Sequence, residues 1–515
     1  MSFLFVLRPL AIFGTGVALS VVMWTAVLAQ DVVTEQGLVR GITTDKIAAF
    51  KGIHFAAPPT KENRWRPPRL PDSWEGIRQA TDFGSDCAQI VRRENGPPIR
   101  ETSEDCLTLN IWTAATGTNR KSPVMVWIHG GSYETGSGAR PHYDGNKFAQ
   151  KGIVLVTINY RLGPLGFFAH PALPAQPNEP RGNYGLMDQI AALKWVQNNI
   201  SGFGGDPENV TIFGESAGGG SVNFLMVAPS AKGLFHRAIS QSGGNGMMVD
   251  PHISESRSFR RPLEQQGKAL VEQWGVEAQD DMSALLRALP VETILSIDRS
   301  PGFQTAPVVD GIVIPASVAV LFATGKQHNV PYLAGGNSWE GSIVARLPNP
   351  ANTLFRGINM DDVRGLYGNF DDHQLAQLWF GDSIFLSPAR YLVTQMTHVS
   401  SSSYLYHMSY VTKSKREELK GVRHGDDLPY VFGTLDSVLD GVSDTDRELS
   451  EEMMTYWVTF AKTGNPNDGD QAIWPEYKRN SDTLLEFGEQ ISVKTNFLQS
   501  RMDFHEQRYY ELAKQ

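Results

Sequence analysis

Short β-branched runs that end in glycine alternate with helical periodicity along this chain, and that alternation sets its class of fold. Val124–Ile128 stops at His129-Gly130-Gly131. Ile153–Asn159 leads into Tyr160-Arg161-Leu162-Gly163. Val210–Phe213 stops at Gly214, Val330–Ala334 at Gly335-Gly336, and Tyr404–Tyr410 is a later run. Continuous apolar runs of this kind suit strands buried on both faces. Leu186, Ile190, Leu193, Val196 and Ile200 form one helical stripe, ended by Gly202 and the turn Gly204-Gly205-Asp206-Pro207. Strand, helix, strand in that order predicts an α/β fold: a mostly parallel central sheet, right-handed crossovers, helices on both faces, and a site where strands end. No linker composition interrupts residues 30–515, so a single domain with large insertions is expected.

The formal net charge is -9 and no long basic run occurs, which excludes the positive footprint of a nucleic-acid binder. No internal repeat is present, so solenoid architectures fall away as well. The first residues differ from the rest. Arg8 is the only charged side chain before Asp31, Leu10–Ala29 is almost wholly apolar or small, and Val27 and Ala29 precede Gln30 with small side chains. That pattern predicts a signal peptide over residues 1–29, cleaved on export to the periplasm or the medium. An uncleaved anchor is the alternative. No later run is long and apolar enough to span a bilayer, so no stable membrane insertion is expected after cleavage. The two cysteines, Cys87 and Cys106, suit a disulfide in an exported chain and buried free thiols in a cytoplasmic one. Two distant sulfurs without paired histidines do not suggest a metal, and no cofactor is implied.

Gly214-Glu215-Ser216-Ala217-Gly218 matches G-x-S-x-G, a pattern that mounts a serine on a tight strand-to-helix turn. With 49 glycines in the chain, chance alone supplies roughly a third of such a match, so the context must decide. Val210–Phe213 reads as the strand and Ala217–Met226 as the helix, and the motif occurs once. A carbonyl attacked by Ser216 becomes an oxyanion, which needs N–H donors already aimed at it. The residue after the serine, Ala217, is one donor at a helix N-terminus. His129-Gly130-Gly131-Ser132 follows an earlier strand and can present others, although a plain strand-ending turn would look the same in isolation.

From here the sequence resembles the type-B carboxylesterase family of α/β-hydrolases, which includes cholinesterases and bacterial p-nitrobenzyl-type esterases. The likeness covers nearly all of the chain beyond the leader. Phe50-Lys51-Gly52-Ile53 with Ala57-Pro58-Pro59 is similar to the family's N-terminal signature, and Ser103-Glu104-Asp105-Cys106-Leu107 with Leu109-Asn110 to its second. Gly182-Asn183-Tyr184-Gly185-Leu186-Met187-Asp188-Gln189 runs through Phe203-Gly204-Gly205-Asp206-Pro207 into the serine motif, as the family's central block does. The resemblance implies the α/β-hydrolase fold. It also implies Glu340, in Asn337-Ser338-Trp339-Glu340-Gly341, as the triad acid, and His424, in Gly421-Val422-Arg423-His424-Gly425, as the base. The residues alone give the order serine, acid, histidine. They do not choose among His373, His398, His407, His424 and His505, which all follow Glu340. Asp426 and Asp427 adjoin His424 and are assigned local roles. Ser242 resembles a family serine that supports the acid.

By the same resemblance the oxyanion donors are Gly131, Ser132 and Ala217, with Gly130 shaping the turn. Ser132 departs from the glycine of many animal members. Cholinesterases hold choline on a tryptophan of the first disulfide loop, whereas Ala88–Asp105 contains no aromatic residue, which disfavours a choline ester. The expected activity is a serine carboxylesterase acting on a small-molecule ester through an acyl-enzyme on Ser216. The alternatives are a non-catalytic cholinesterase-like adhesion protein, which would lack the nucleophile, and a hydrolase of a lactone, carbamate, amide or lipid, which the same triad could serve. Tyr133 and Trp339 flank the site segments, either as pocket walls or as packing.

Overall fold

A computed structural model of the chain describes residues 28–515 apart from 90–99, 115–119, 174–178, 245–251, 257–260, 297–302, 304, 513 and 515. Its centre is a thirteen-stranded sheet. The strands are β1 (Leu28–Val33), β2 (Leu38–Thr44), β3 (Ile47–His54), β4 (Thr108–Thr113), β5 (Ser122–Ile128), β6 (Val154–Ile158), β7 (Gly205–Glu215), β8 (Arg237–Gln241), β9 (Tyr332–Asn337), β10 (Ser403–Met408), β11 (Thr483–Phe487) and β12 (Ile491–Thr495), with Ile77–Gln79 paired to β2. The order across the sheet is β1-β2-β3-β4-β6-β5-β7-β8-β9-β10-β11-β12.

The pairings are parallel from β6 through β5, β7, β8, β9 and β10 to β11. Both margins are antiparallel, apart from the parallel pairing of Ile77–Gln79 with β2. The sheet is therefore mixed, and the parallel arrangement predicted from sequence describes its centre. Chain order reverses between β5 and β7: the chain leaves β5 for β6 on one side, returns to β7, and continues to β8 on the other. Such a switch point opens a crevice at the carboxyl ends of the two strands. His129-Gly130-Gly131 and Ser216 follow those ends.

The central strands are buried on both faces because their two sets of alternate side chains enter different helical layers. On β5, Val124, Val126 and Ile128 join one core and Met125 and Trp127 the other. Helices α1 (Tyr184–Asn199) and α2 (Ala217–Leu225) supply the first layer with Leu186, Ile190, Leu193, Val196 and Val222. Four further helices are α3 (Asp372–Gly381), α4 (Ser387–Gln395), α5 (Asp444–Thr463) and α6 (Gln499–Leu512). α5 covers the second face with Met453, Met454 and Trp457. Each large apolar side chain moved fully out of water contributes about 1.5–3 kcal/mol, which is what holds helices on a sheet this wide.

Element ends differ from the sequence reading in identifiable ways. α1 stops at Asn199. Ile200–Phe203 then tightens into a 3₁₀ turn, and the left-handed residue is Gly204, φ 80°. The expected turn Gly204–Pro207 lies partly inside β7: Gly205 pairs with Ser122 of β5, and the register shifts before Val210. The serine helix ends at Leu225, one residue early. The predicted leader, residues 1–29, lies outside the described residues as far as residue 27, and Leu28 and Ala29 open β1.

Cys87 and Cys106 form a disulfide across 19 residues of chain. Closing a loop of that size stabilises by about 3 kcal/mol in the chain-entropy model. The bridge also anchors the segment that braces the turn after β5. Asp86 Oδ1 accepts from Ser137 Oγ at 2.6 Å, and the Gln89 amide exchanges two 2.9 Å bonds with the backbone of Gly136.

Candidate active site

The strand β7 delivers Ser216 and the helix α2 carries it away. Ser216 itself sits at φ 57°, ψ -124°, a positive-φ conformation of the kind found at strained functional turns. It is held there by its N–H, which donates to Gln241 O at 3.0 Å. The last glycine of the motif has a steric cause: a Cβ on Gly218 would lie 1.9 Å from Ile128 O. Only glycine lets α2 start this close to β5.

The loop after β5 approaches Ser216 from the other side of the crevice. Gly131 has φ 112°, and a Cβ there would lie 2.0 Å from Thr135 O. Ser132 and Tyr133 continue the turn at φ 58° and 59°. Gly131 O accepts from the N–H groups of Glu134 and Thr135, both at 3.0 Å, which closes the loop on itself. Among the described residues, the N–H groups of Gly131, Ser132 and Ala217 have no protein acceptor. His129 supports the loop from below. Its ring stacks on Tyr160 at 4.4 Å and its Nδ1 lies 2.8 Å from Gly130 O. Burial pushes its pKa down to about 3, so it is a neutral N–H donor.

Glu340 and His424 reach the same crevice from the ends of β9 and of a later loop. The Trp339 N–H donates to Val422 O at 2.8 Å, and Asn337 Nδ2 donates to Arg423 O at 3.0 Å, aligning the two segments. His424 Nδ1 lies 2.5 Å from Glu340 Oε2. The other carboxylate oxygen, Oε1, accepts from the Asn337 N–H at 2.7 Å and from Ser242 Oγ at 2.5 Å. Three donors thus converge on a carboxylate that is 1% exposed. The serine thought to support the acid touches it directly. The other candidate histidines lie elsewhere: His373 on Ala345 O, His398 on Gln395, His407 against Phe497, and His505 on Tyr367. Asp426 pairs with Arg423 at 2.9 Å, and buried Asp427 accepts from Gln241 and Asn337. The Asp426 role is local, as the sequence suggests, whereas Asp427 ties the loop that carries His424 to residues at the ends of β8 and β9. Tyr133 is buried with its ring against Phe167, while Trp339 is half-buried and donates to Gln377.

Sequence reasoning did not single out Glu215, the variable position of the motif. Its Oε1 is 3.1 Å from His424 Nε2, and neither atom has a well-aligned hydrogen bond. Burial raises the Glu215 carboxyl, with His424 opposing. Burial lowers the imidazole, but the charges of Glu215 and Glu340 outweigh that and raise it above its ordinary range. The resting imidazole therefore faces Glu215, one residue from Ser216. Catalytic hydrogen bonds are often open without substrate and tighten only around it. Among the described residues, no three His, Cys, Asp or Glu side chains gather as a metal site. Residues 90–99 of the stretch Ala88–Asp105 lie outside the described residues.

The family model "Carboxylesterase family" matches residues 29–367 and 367–505. The chain belongs to the carboxylesterase family. It is 38% identical over 487 residues to the fumonisin B1 esterase of Sphingopyxis macrogoltabida, covering 89% of this chain and 86% of that protein. It is 34% identical over 487 residues to the para-nitrobenzyl esterase of Bacillus subtilis (strain 168), covering 91% and 96%. A solved PNB esterase superposes with TM-score 0.77 at 31% identity, covering 92% of this chain and 99% of that one. A thermophilic PNB esterase does so with TM-score 0.79 at 30% identity and the same coverage. The fold is that of the α/β-hydrolases, and the protein is a serine hydrolase of carboxylic esters. No described helix is long and apolar enough to cross a membrane.

Proposed function

We propose that Ser216 attacks the ester carbonyl, His424 acts as general base and then acid, and Glu340 fixes the imidazole tautomer and stabilises its charged form. The observation that carries this reading is the 2.5 Å contact of His424 Nδ1 with Glu340, in a crevice that also holds the strained serine. The N–H groups of Gly131, Ser132 and Ala217 receive the oxyanion. Protonated His424 releases the alcohol, and water activated by the same histidine frees the acid. All three triad positions are filled, which favours hydrolysis over an adhesion role. The substrate is a small carboxylic ester. Residues 1–29 act as a signal peptide and 30–515 as one catalytic domain. The continuous sheet supports the single domain, and the disulfide is compatible with a periplasmic or secreted location.

The test uses the purified protein, a short-chain p-nitrophenyl ester and a serine-directed organophosphonate, with the labelled peptide read by mass spectrometry. Activity should fall in step with modification of Ser216. Inhibition with the label on another residue would reject the assignment.

Glu215 gives this reading a pH signature. Its carboxylate favours imidazolium, so it raises the pH at which His424 becomes free to act as base. Glu215→Gln should move the acid limb of the kcat/KM profile to lower pH. It should also reduce kcat about tenfold, because imidazolium forming in the transition state loses that support. An acid limb at the wild-type position would remove Glu215 from this role.

A further inference from the structure

The imidazole of His424 also has an aromatic neighbour. The Phe385 ring lies against it, centroids 4.6 Å apart and planes at 42°, and Phe385 is 1% exposed. Phe385 belongs to Asp382–Leu386, a single π-turn inserted between α3 and α4. Widened turns of this type are uncommon and recur at functional sites. Something must hold it open, and apart from Tyr367 the hydrogen bonds to it come from the far C-terminal helix.

From α6, Arg501 Nε donates to Asp382 Oδ2 at 2.6 Å. The Tyr367 hydroxyl donates to the same oxygen at 2.8 Å. His505 Nε2 lies 2.7 Å from that hydroxyl. Burial drives the His505 pKa down to about 3, so the ring is neutral. The phenol's one proton goes to Asp382, and the Nε2–H tautomer of His505 therefore donates to the phenol oxygen. One residue on, Arg508 and the Tyr509 hydroxyl both donate to Ser383 O, the latter at 3.3 Å. On the inner side, Ile384 O presses on Gly244 after β8, where a Cβ would lie 2.0 Å away. The π-turn is clamped between α6 and the crevice.

One hydrogen bond fixes one point of a ring. The His424–Glu340 bond leaves the imidazole free to pivot about that point, and the pivot decides whether Nε2 faces Glu215 or Ser216. A second ring packed against the imidazole limits that motion. We infer that Phe385 is a positioning residue for the His424 imidazole, and that α6 sets its place through Arg501, Asp382, Tyr367 and His505. This rests on the reading of His424 as the base.

The experiment uses the full-length protein and four variants, with kcat and KM for a p-nitrophenyl ester and the downfield proton resonance of the His424 Nδ1–H. Phe385→Ala should lower kcat about 10–100-fold. KM should stay within about twofold and the resonance should broaden, while Phe385→Tyr should keep most of the activity. Arg501→Met, which alters a partner of Asp382 and Tyr367 and not of His424, should lower kcat in the same direction even where Phe385→Ala fails to fold. A Phe385→Ala protein with raised KM but wild-type kcat and a sharp resonance would make Phe385 a pocket wall and overturn the inference. Wild-type kcat in Arg501→Met would overturn the clamp. His424→Ala separates the two readings: full activity there would reject the site itself, whatever Phe385 does.

Discussion

Ser216→Ala should lower kcat for a p-nitrophenyl ester by about 10³–10⁶-fold, leave the protein folded, and abolish organophosphonate labelling. The size follows from the role. A serine nucleophile and its base act as a unit, so removing either forfeits most of the covalent route. What survives is the acceleration from aligned N–H donors and binding, about 10³–10⁴-fold over water. Folding should survive because the hydroxyl is not what holds the turn. The backbone bond from Ser216 N–H to Gln241 O remains, α2 keeps its start, and alanine occupies no more space than serine. The positive-φ strain, about 1–3 kcal/mol, is common to both side chains and cancels in the comparison. Thermal unfolding should thus shift by only a few degrees about the wild-type midpoint. A stable variant that retained more than about a tenth of wild-type kcat would mean that Ser216 is not the nucleophile.

The parts of this molecule legible in the sequence are those fixed by local sterics. Gly218 could be read as obligatory because a strand, a serine and a helix must meet within a few residues, and the structure shows the carbonyl of Ile128 filling the space a side chain would need. The central parallel strands were legible because burial on both faces leaves continuous apolar runs. The antiparallel margins were not. β1 reads Leu-Ala-Gln-Asp-Val-Val, whose exposure follows edge position more than any apolar run. Gly205 looked like part of a turn because its strand pairing with Ser122 is long-range. Glu340 and His424 needed the family resemblance, since their 2.5 Å contact joins two chain segments far apart in sequence. Glu215 was invisible for another reason. The motif admits any residue there, and only the fold turns that side chain to the imidazole. The π-turn at Asp382–Leu386 carries no periodic signal, because it is held by α6.

Glu340→Gln should be nearly as damaging as loss of the serine, reducing kcat by about 10⁴-fold with little change in KM. The cause is the direction of hydrogen bonds. In the wild type, Oε1 accepts from the Asn337 N–H and from Ser242 Oγ, and Oε2 accepts from His424 Nδ1–H. An amide has one acceptor and one donor group. The backbone N–H of Asn337 cannot turn away, so the glutamine carbonyl must stay in the Oε1 place. Its NH₂ then faces His424 Nδ1, which must accept. The imidazole proton moves to Nε2, the nitrogen that must be bare to take the proton of Ser216. The geometry is retained and the base is gone. The lost negative charge adds to this, since imidazolium formed in the transition state has no paired carboxylate beyond Glu215. Glu340→Asp keeps both acceptors on a shorter arm and should recover part of the activity. A Glu340→Gln enzyme within tenfold of wild-type kcat would show that Glu340 does not set the His424 tautomer and would remove it from the triad.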